Sequence, residues 1–220
     1  MVELPFQNRT EAGRLLGTEL KARHVSSEAV VLALPRGGVP VAAEVAKRLN
    51  ASMDIVVARK LGVPWQPELG MGAIAGRSRV LNPDLILDLD ISTEEIEAVI
   101  ARETIEMERR ETLYRGTLPA VDPRGRTVVL VDDGLATGST MVAAARHIRR
   151  FHPHRLIIAV PVASSAIEDL KDEADELVWL AMPQRFTGVG QWYKDFEQVT
   201  DDEVKELLAH YRHQSAASIL

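Results

Sequence analysis

Residues Val128 to Thr140, VVLVDDGLATGST, decide the fold. Four apolar residues in succession, Val128 to Val131, suit a strand covered on both faces, as in a parallel sheet. That strand delivers two carboxylates, Asp132 and Asp133, and then a turn of small residues that opens a helix. In parallel sheets ligands sit beyond the carboxyl ends of the strands, which is where Asp132 and Asp133 fall. Adjacent carboxylates can accept from vicinal hydroxyls such as those of a ribose, each charge-assisted hydrogen bond contributing on the order of 1.5 to 3 kcal/mol. The amides of Ala136 through Thr140, at a helix N-terminus, make a donor nest for a phosphate. Gly138 lets the backbone approach, and Thr137, Ser139 and Thr140 add hydroxyls. A sugar phosphate satisfies both halves. A strand, a polar turn and a capped helix are each common, and only their conjunction singles out one ligand.

Outward from this stretch, Val30 to Leu34, Ile55 to Ala58 and Leu156 to Val162 are further apolar runs rich in Val, Ile and Leu. Leu177 to Ala181 reads as the last core strand. Helical spacing over Val39 to Leu49, Ser139 to Phe151 and Ser164 to Glu173 alternates with them, so the order is that of an α/β sandwich. The 220 residues, 46% hydrophobic and 26% charged, fit one soluble globular domain and exclude disorder as the main theme. With no cysteine, a thiolate metal site, a disulfide framework and a cysteine nucleophile are all excluded. A net charge of -6 argues against broad contact with nucleic-acid phosphates. MVELPFQNRT carries no basic flank leading into an apolar run, and no segment approaches the roughly 20 apolar residues that cross a bilayer, so a cytoplasmic setting away from membranes is expected.

The best-defined helix begins at Thr93. Ser92 caps it, Glu95 completes a capping box, and Ile91 stands at staple spacing from Ile96. Ile96, Ile100 and Met107 give a thin apolar stripe along a segment of mixed charge running to about Tyr114, most of which faces water or a partner. A last helix starts near Thr200, and its end, Gln214 to Ser218, is expected to fray.

Val128 to Thr140 resembles the phosphoribosyl-diphosphate (PRPP) motif of type I phosphoribosyltransferases, closest in wording to the VDDLLATGGT form of adenine phosphoribosyltransferases. The resemblance implies that Asp132 and Asp133 bind the ribose hydroxyls and that Ala136, Thr137, Gly138, Ser139 and Thr140 bind the 5-phosphate. Two other segments fit it. In LALPRGGVPVA, Arg36 ends a strand and Gly37 and Gly38 leave amides uncovered before a helix. The family places its pyrophosphate loop here, often with a non-proline cis peptide, for which Pro35 to Arg36 is the candidate; read alone, the segment is an ordinary βα turn. Arg59 and Lys60, followed by Leu61-Gly62-Val63-Pro64, resemble the RKKGKLPG element that opens the catalytic flexible loop, and read alone are a solvated basic turn. Glu68 in that loop is a candidate proton donor. Together PRGG, RKLG, VDDGLATG and VGQWY are similar to a bacterial subgroup known mainly as predicted phosphoribosyltransferases, over nearly the whole chain.

The implied fold is a single type I phosphoribosyltransferase domain over 1–220, with helices on both faces of a parallel sheet. Its core spans about 28–180, with an inserted charged helix over about 92–115 and a small hood from about 181–200 plus the N-terminal segment. In the hood, Phe186, Trp192 and Tyr193 either stack on a planar acceptor or close the hood's own core. Asp195 is a further candidate base contact. Two departures stand out. Gly134 replaces the aliphatic residue usual after the acidic pair, a change expected to loosen the turn, and Ala136 stands where enzymes for 6-oxopurines typically carry an aspartate.

The implied function is Mg2+-dependent transfer of ribose 5-phosphate from PRPP to a nitrogen acceptor, a nucleobase with purines favoured, releasing pyrophosphate. Arg36, Lys60, Asp132 and Asp133 are the catalytic candidates. Magnesium is held mainly by substrate oxygens and water, with Asp132 and Asp133 contributing indirectly. A homodimer is implied by the family. The alternatives are a PRPP-binding regulator without efficient transfer and a general nucleotide-binding scaffold. Gly70 to Gly76 lacks the following helix a dinucleotide glycine loop needs, and His152 and His154 have no metal-ligand partners in sequence.

Overall fold

The fold was taken from a computed structural model and is described for residues 2–217, with side chains to Tyr211. In chain order the elements are α1 (Arg9–Ala22), β1 (Val30–Ala33), α2 (Gly38–Leu49), β2 (Ser52–Ile55), β3 (Ala58–Val63), β4 (Gln66–Ala75), β5 (Ser78–Leu81), α3 (Pro83–Asp88), α4 (Thr93–Arg115), β6 (Thr127–Val131), α5 (Ser139–Arg149), β7 (Arg155–Val162), β8 (Glu176–Ala181) and α6 (Asp201–Ala217). Five strands form a sheet in the order β2-β1-β6-β7-β8, every neighbouring pair parallel. Residues 128–131 of β6 are all buried, which is why they read as a continuous apolar run.

One face of the sheet, with Val31, Ala33, Val129 and Ile157, packs on α2; the other, with Val30, Leu32, Leu130 and Ile158, packs on α5. Thus β1 crosses to β2 over one face and β6 crosses to β7 over the other. The chain reverses its winding between β1 and β6, and at such a switch point the loops leaving the two strands part and open a crevice. Val30 to Ala33 pair in register with Val128 to Val131, so both strands end at the same level.

The expected strand Ile55 to Ala58 divides in two. β2 ends at Ile55, whose carbonyl accepts from Arg115 Nη2 at 2.5 Å, and Val56 N makes a last bond to Ala33 O. The chain then enters an antiparallel sheet, β3-β4-β5, that periodicity did not reveal. Its hairpin root is seated on α5: Gly76 has φ +50, and a Cβ there would fall 2.2 Å from His147 Cε1. The expected helix Ser164 to Glu173 is a 3-10 segment, Ser165–Leu170. It stops because Asp175 N is drawn back to Leu156 O to start β8.

Helix α4 begins as read: Ser92 Oγ accepts from Glu95 N at 3.3 Å and Glu95 Oε2 accepts from Ser92 N at 2.9 Å. Its buried residues, Val99, Ile100, Met107 and Tyr114, lie against β3, β4 and α6. Helix α6 runs through Ala217, so Gln214 to Ala217 continue it; Ser218 lies outside the described residues. Among the described residues no helix is long and apolar enough to cross a membrane.

Asp54 is 1% exposed and fastens three segments, accepting from Ile55 N at 2.8 Å, Val121 N at 2.9 Å and Arg115 Nε at 3.2 Å. Replacing it with Ala leaves the Val121 amide without its acceptor and takes one partner from Arg115, which keeps the Ile55 carbonyl and Glu111. Asp54→Ala is expected to cost about 2 kcal/mol of stability, read as a lower urea midpoint at unchanged slope.

Candidate active site

Both loops at the switch point open helices whose first amides lack a side-chain cap. The N-cap positions of α2 and α5 are Gly37 and Gly138, neither with a side-chain hydrogen bond. Elsewhere α1, α3 and α4 are capped by Asn8, Asn82 and Ser92. Gly138 has φ +77, the left-handed region that favours glycine, and this turns the loop from Leu135 into α5. The loop is pinned by Ser164, whose Oγ donates to Ala136 O at 2.5 Å. Ala136 and Thr137 are exposed, with Ser139 and Thr140 half-buried beside them.

Asp132 and Asp133 lie between these two helix ends. Asp133 N donates to Asp132 Oδ1 at 2.8 Å. Arg9, from the start of α1, reaches Asp133 Oδ2 through Nε at 2.8 Å and Nη2 at 2.8 Å. The same guanidinium donates to Glu197 O at 2.8 Å and lies 3.8 Å from the centroid of Phe196. The Tyr193 hydroxyl donates to Asp133 O at 2.5 Å. A Cβ on Gly37 would lie 2.1 Å from Asp133 Oδ2, and one on Gly38 would lie 2.7 Å from Val131 O, so glycine is needed at both. The Pro35–Arg36 peptide is cis.

Burial, and after it the neighbouring charge of Asp133, raises the Asp132 carboxyl well above the ordinary range; burial also raises Asp133, where Arg9 opposes the shift. Burial raises the Tyr193 hydroxyl far enough to keep it a neutral donor.

The other sequence candidates are placed unequally. Arg59 and Lys60, adjacent on β3, project to opposite faces. Arg59 is paired with Glu103 of α4, at 3.0 Å from Nε and 2.7 Å from Nη2, while Lys60 Nζ donates to the carbonyl of Glu68. The span read as a flexible loop, 62–68, is the tip of the β3–β4 hairpin, where the Glu68 side chain is 99% exposed. Phe186 and Trp192, 6.2 Å apart, pack with Phe6, Ala12, Val162 and Tyr193 into an aromatic cluster. That cluster joins residues 190–195 to the N-terminal segment through Phe6 N to Trp192 O and Lys194 N to Phe6 O. Asp195 is exposed. Gly134 does not loosen its turn, because Val189 fills the vacated space, with Cγ1 2.6 Å from where a Cβ would stand.

Sequence reasoning missed Arg9, Asp201 and Glu103. Only Glu103 carried a signal, standing three residues after Ile100 and four before Met107 on the apolar stripe.

The chain thus has a parallel α/β sheet with a carboxylate pair and two helix ends without side-chain caps at its switch point. Residues 72–185 match the model of the phosphoribosyl transferase domain, and the chain belongs to that family. It is 43% identical over 218 residues to a Mycobacterium tuberculosis protein named "Putative phosphoribosyl transferase Rv0571c", covering 97% of this chain and 49% of that one. The chain thus spans about half the length of the curated relatives it matches. The crystal structure of TT1426 from Thermus thermophilus is similar at TM-score 0.79 and 42% identity, covering 94% of this chain and 99% of that one. The AQ2163 protein from Aquifex aeolicus shares the fold alone, at TM-score 0.52 and 15% identity over 83% of this chain and 78% of that one.

The raised carboxyls set a pH dependence of stability. The folded pair keeps protons that the unfolded chain releases, so its contribution to stability falls as pH rises from about 4 through the raised folded values. Arg9→Gln removes the opposing guanidinium and is expected to steepen that fall. Urea midpoints between about pH 4 and pH 7 measure it, and equal losses at both ends would refute the role of Arg9.

Proposed function

We propose that the chain transfers ribose 5-phosphate from PRPP to a nitrogen acceptor, a nucleobase with purines favoured, releasing pyrophosphate. The observation that carries this reading is the carboxylate pair set between two uncapped helix ends. Asp132 and Asp133 accept from the ribose 2- and 3-hydroxyls, and the Ala136 to Thr140 amides and hydroxyls bind the 5-phosphate. The amide of Gly37 and the Arg36 guanidinium take the diphosphate, whose negative charge grows as the C1–O bond lengthens, while Gly38, its own amide bonded to Leu34 O, lets the loop pass close over β6. Excluding water from the cationic sugar centre falls to the hairpin tip, 62–68, with Lys60 as its cation. Arg59 contributes to the diphosphate only when Glu103 releases it.

Two hard carboxylates at one strand end suit a share in binding Mg2+, and they leave most of its shell to substrate oxygens and water. Among the described residues no cluster of three or more His, Asp or Glu side chains forms a complete metal site. When bound, the ion neutralises the diphosphate charge that Arg36 and the Gly37 amide also face. A cytoplasmic setting and a homodimer belong to the same proposal, as does the single-domain division with its hood.

A second reading is favoured by one feature: both hairpin cations are engaged within the protein, Arg59 by Glu103 and Lys60 by the Glu68 carbonyl. A protein that binds PRPP without efficient transfer would look the same. Pyrophosphate release from Mg-PRPP across a panel of nucleobases separates the two. Transfer predicts release that requires one acceptor; PRPP binding without acceptor-dependent release supports the regulator. Asp133→Asn, which keeps the shape and removes the charge, is expected to weaken PRPP binding about 10- to 100-fold without unfolding the chain.

A further inference from the structure

Arg36 is not left to find its own direction at the mouth of the site. Its Nη1 lies 3.5 Å from Asp201 Oδ1, with the Arg36 side chain 30% exposed and that of Asp201 40% exposed. The same carboxylate oxygen accepts from the Tyr114 hydroxyl at 2.7 Å. Both supporting residues are themselves fixed. Asp201 opens α6, whose start is locked by Glu203 N donating to Thr200 Oγ1 at 3.2 Å and Thr200 N donating to Glu203 Oε2 at 2.8 Å. Tyr114 ends the buried stripe of α4 and is 5% exposed.

The protonation states suit the arrangement. Burial first, and then Asp201, pushes the Tyr114 hydroxyl up to about 12, so it remains a donor. The bond from Tyr114 holds the Asp201 carboxyl below its ordinary range, so it remains a charge for Arg36. A guanidinium presents donors on more than one edge, so a carboxylate behind one edge leaves the others for an anion.

We infer that Tyr114 and Asp201 are positioning residues for Arg36, through which α4 and α6 together aim its guanidinium at the diphosphate half of the substrate. This rests on the reading of Arg36 as a diphosphate contact. It also gives the charged helix between β5 and β6 a part in binding, since its C-terminal turn anchors the site's arginine. An unanchored arginine must give up its rotamer freedom when it binds, and anchoring removes that loss in advance, on the order of a tenfold gain in affinity.

The test separates the two halves of PRPP. The full chain is titrated calorimetrically, with magnesium, against PRPP, inorganic pyrophosphate and ribose 5-phosphate. Tyr114→Phe leaves every charge in place and removes only the hydrogen bond that fixes Asp201 behind Arg36. It is expected to weaken pyrophosphate and PRPP about tenfold while ribose 5-phosphate binds as before. Asp201→Asn, at a partly exposed position, provides the same test should Tyr114→Phe not fold, and Asp201→Glu is expected to restore part of the affinity. Pyrophosphate binding unchanged or tightened in these variants overturns the inference, as does an equal loss for ribose 5-phosphate, which would mark a merely structural role. A wild-type chain that binds none of the three ligands overturns the reading of the site itself, and the inference with it.

Discussion

Two carboxylates side by side at the buried end of β6 are the constraint around which the site is arranged. Like charges in a poorly solvated place repel one another and lose hydration, and an uncompensated buried charge costs several kcal/mol. The surroundings relieve this in three ways. Arg9 brings an opposite charge to Asp133 Oδ2, the Asp133 main-chain N–H donates to Asp132 Oδ1, and Gly37 yields the space in which the carboxylate lies. Relief is partial, since both carboxyls remain raised above their ordinary range. Strain of this kind in an otherwise consistent fold is what a functional position looks like.

The distribution of helix caps repeats the pattern. Asn8, Asn82 and Ser92 satisfy the first amides of helices that begin away from the crevice. The two helices that begin at the crevice start from glycine with no side chain over their first turn; in α2 the Gly38 and Val39 amides turn back to Leu34 O and Arg36 O. The segments farthest apart in sequence converge on the same place. Arg9 comes from the first helix, Tyr193 from the strap after β8 and Asp201 from the last helix, so closing the site requires the whole fold.

Much of this was legible in the sequence because it is local. A continuous apolar run followed by two aspartates and a small-residue turn states its own geometry, and Ser92 with Glu95 marks a helix start whatever surrounds it. The β3-β4-β5 sheet was hidden because Gly62, Gly70, Gly72 and Gly76 break the alternation a strand shows; Gly62, Gly72 and Gly76 stand where another backbone or side chain crowds the place of a Cβ. Arg9 and Asp201 could not be read at all. Each matters through a partner more than a hundred residues away, and nothing in its own neighbourhood separates it from an ordinary surface charge. Asp54 was the exception that could have been noticed, a lone carboxylate between Met53 and Ile55 in an apolar stretch.

The register of β1 against β6 also fixes a length. Adjacent strands stand about 4.8 Å apart, and Val30 to Ala33 are locked level with Val128 to Val131, so the spacing between the two glycine-led helix ends is inherited from the sheet's own repeat. The crevice therefore gauges its guest. On the proposed function, a molecule with one anionic group engages one end and leaves the other to water, while one whose two anionic groups are held apart by a pentose engages both. Selection by span follows from hydrogen bonds among main-chain atoms in the sheet, far less open to change by substitution than any side chain in the crevice.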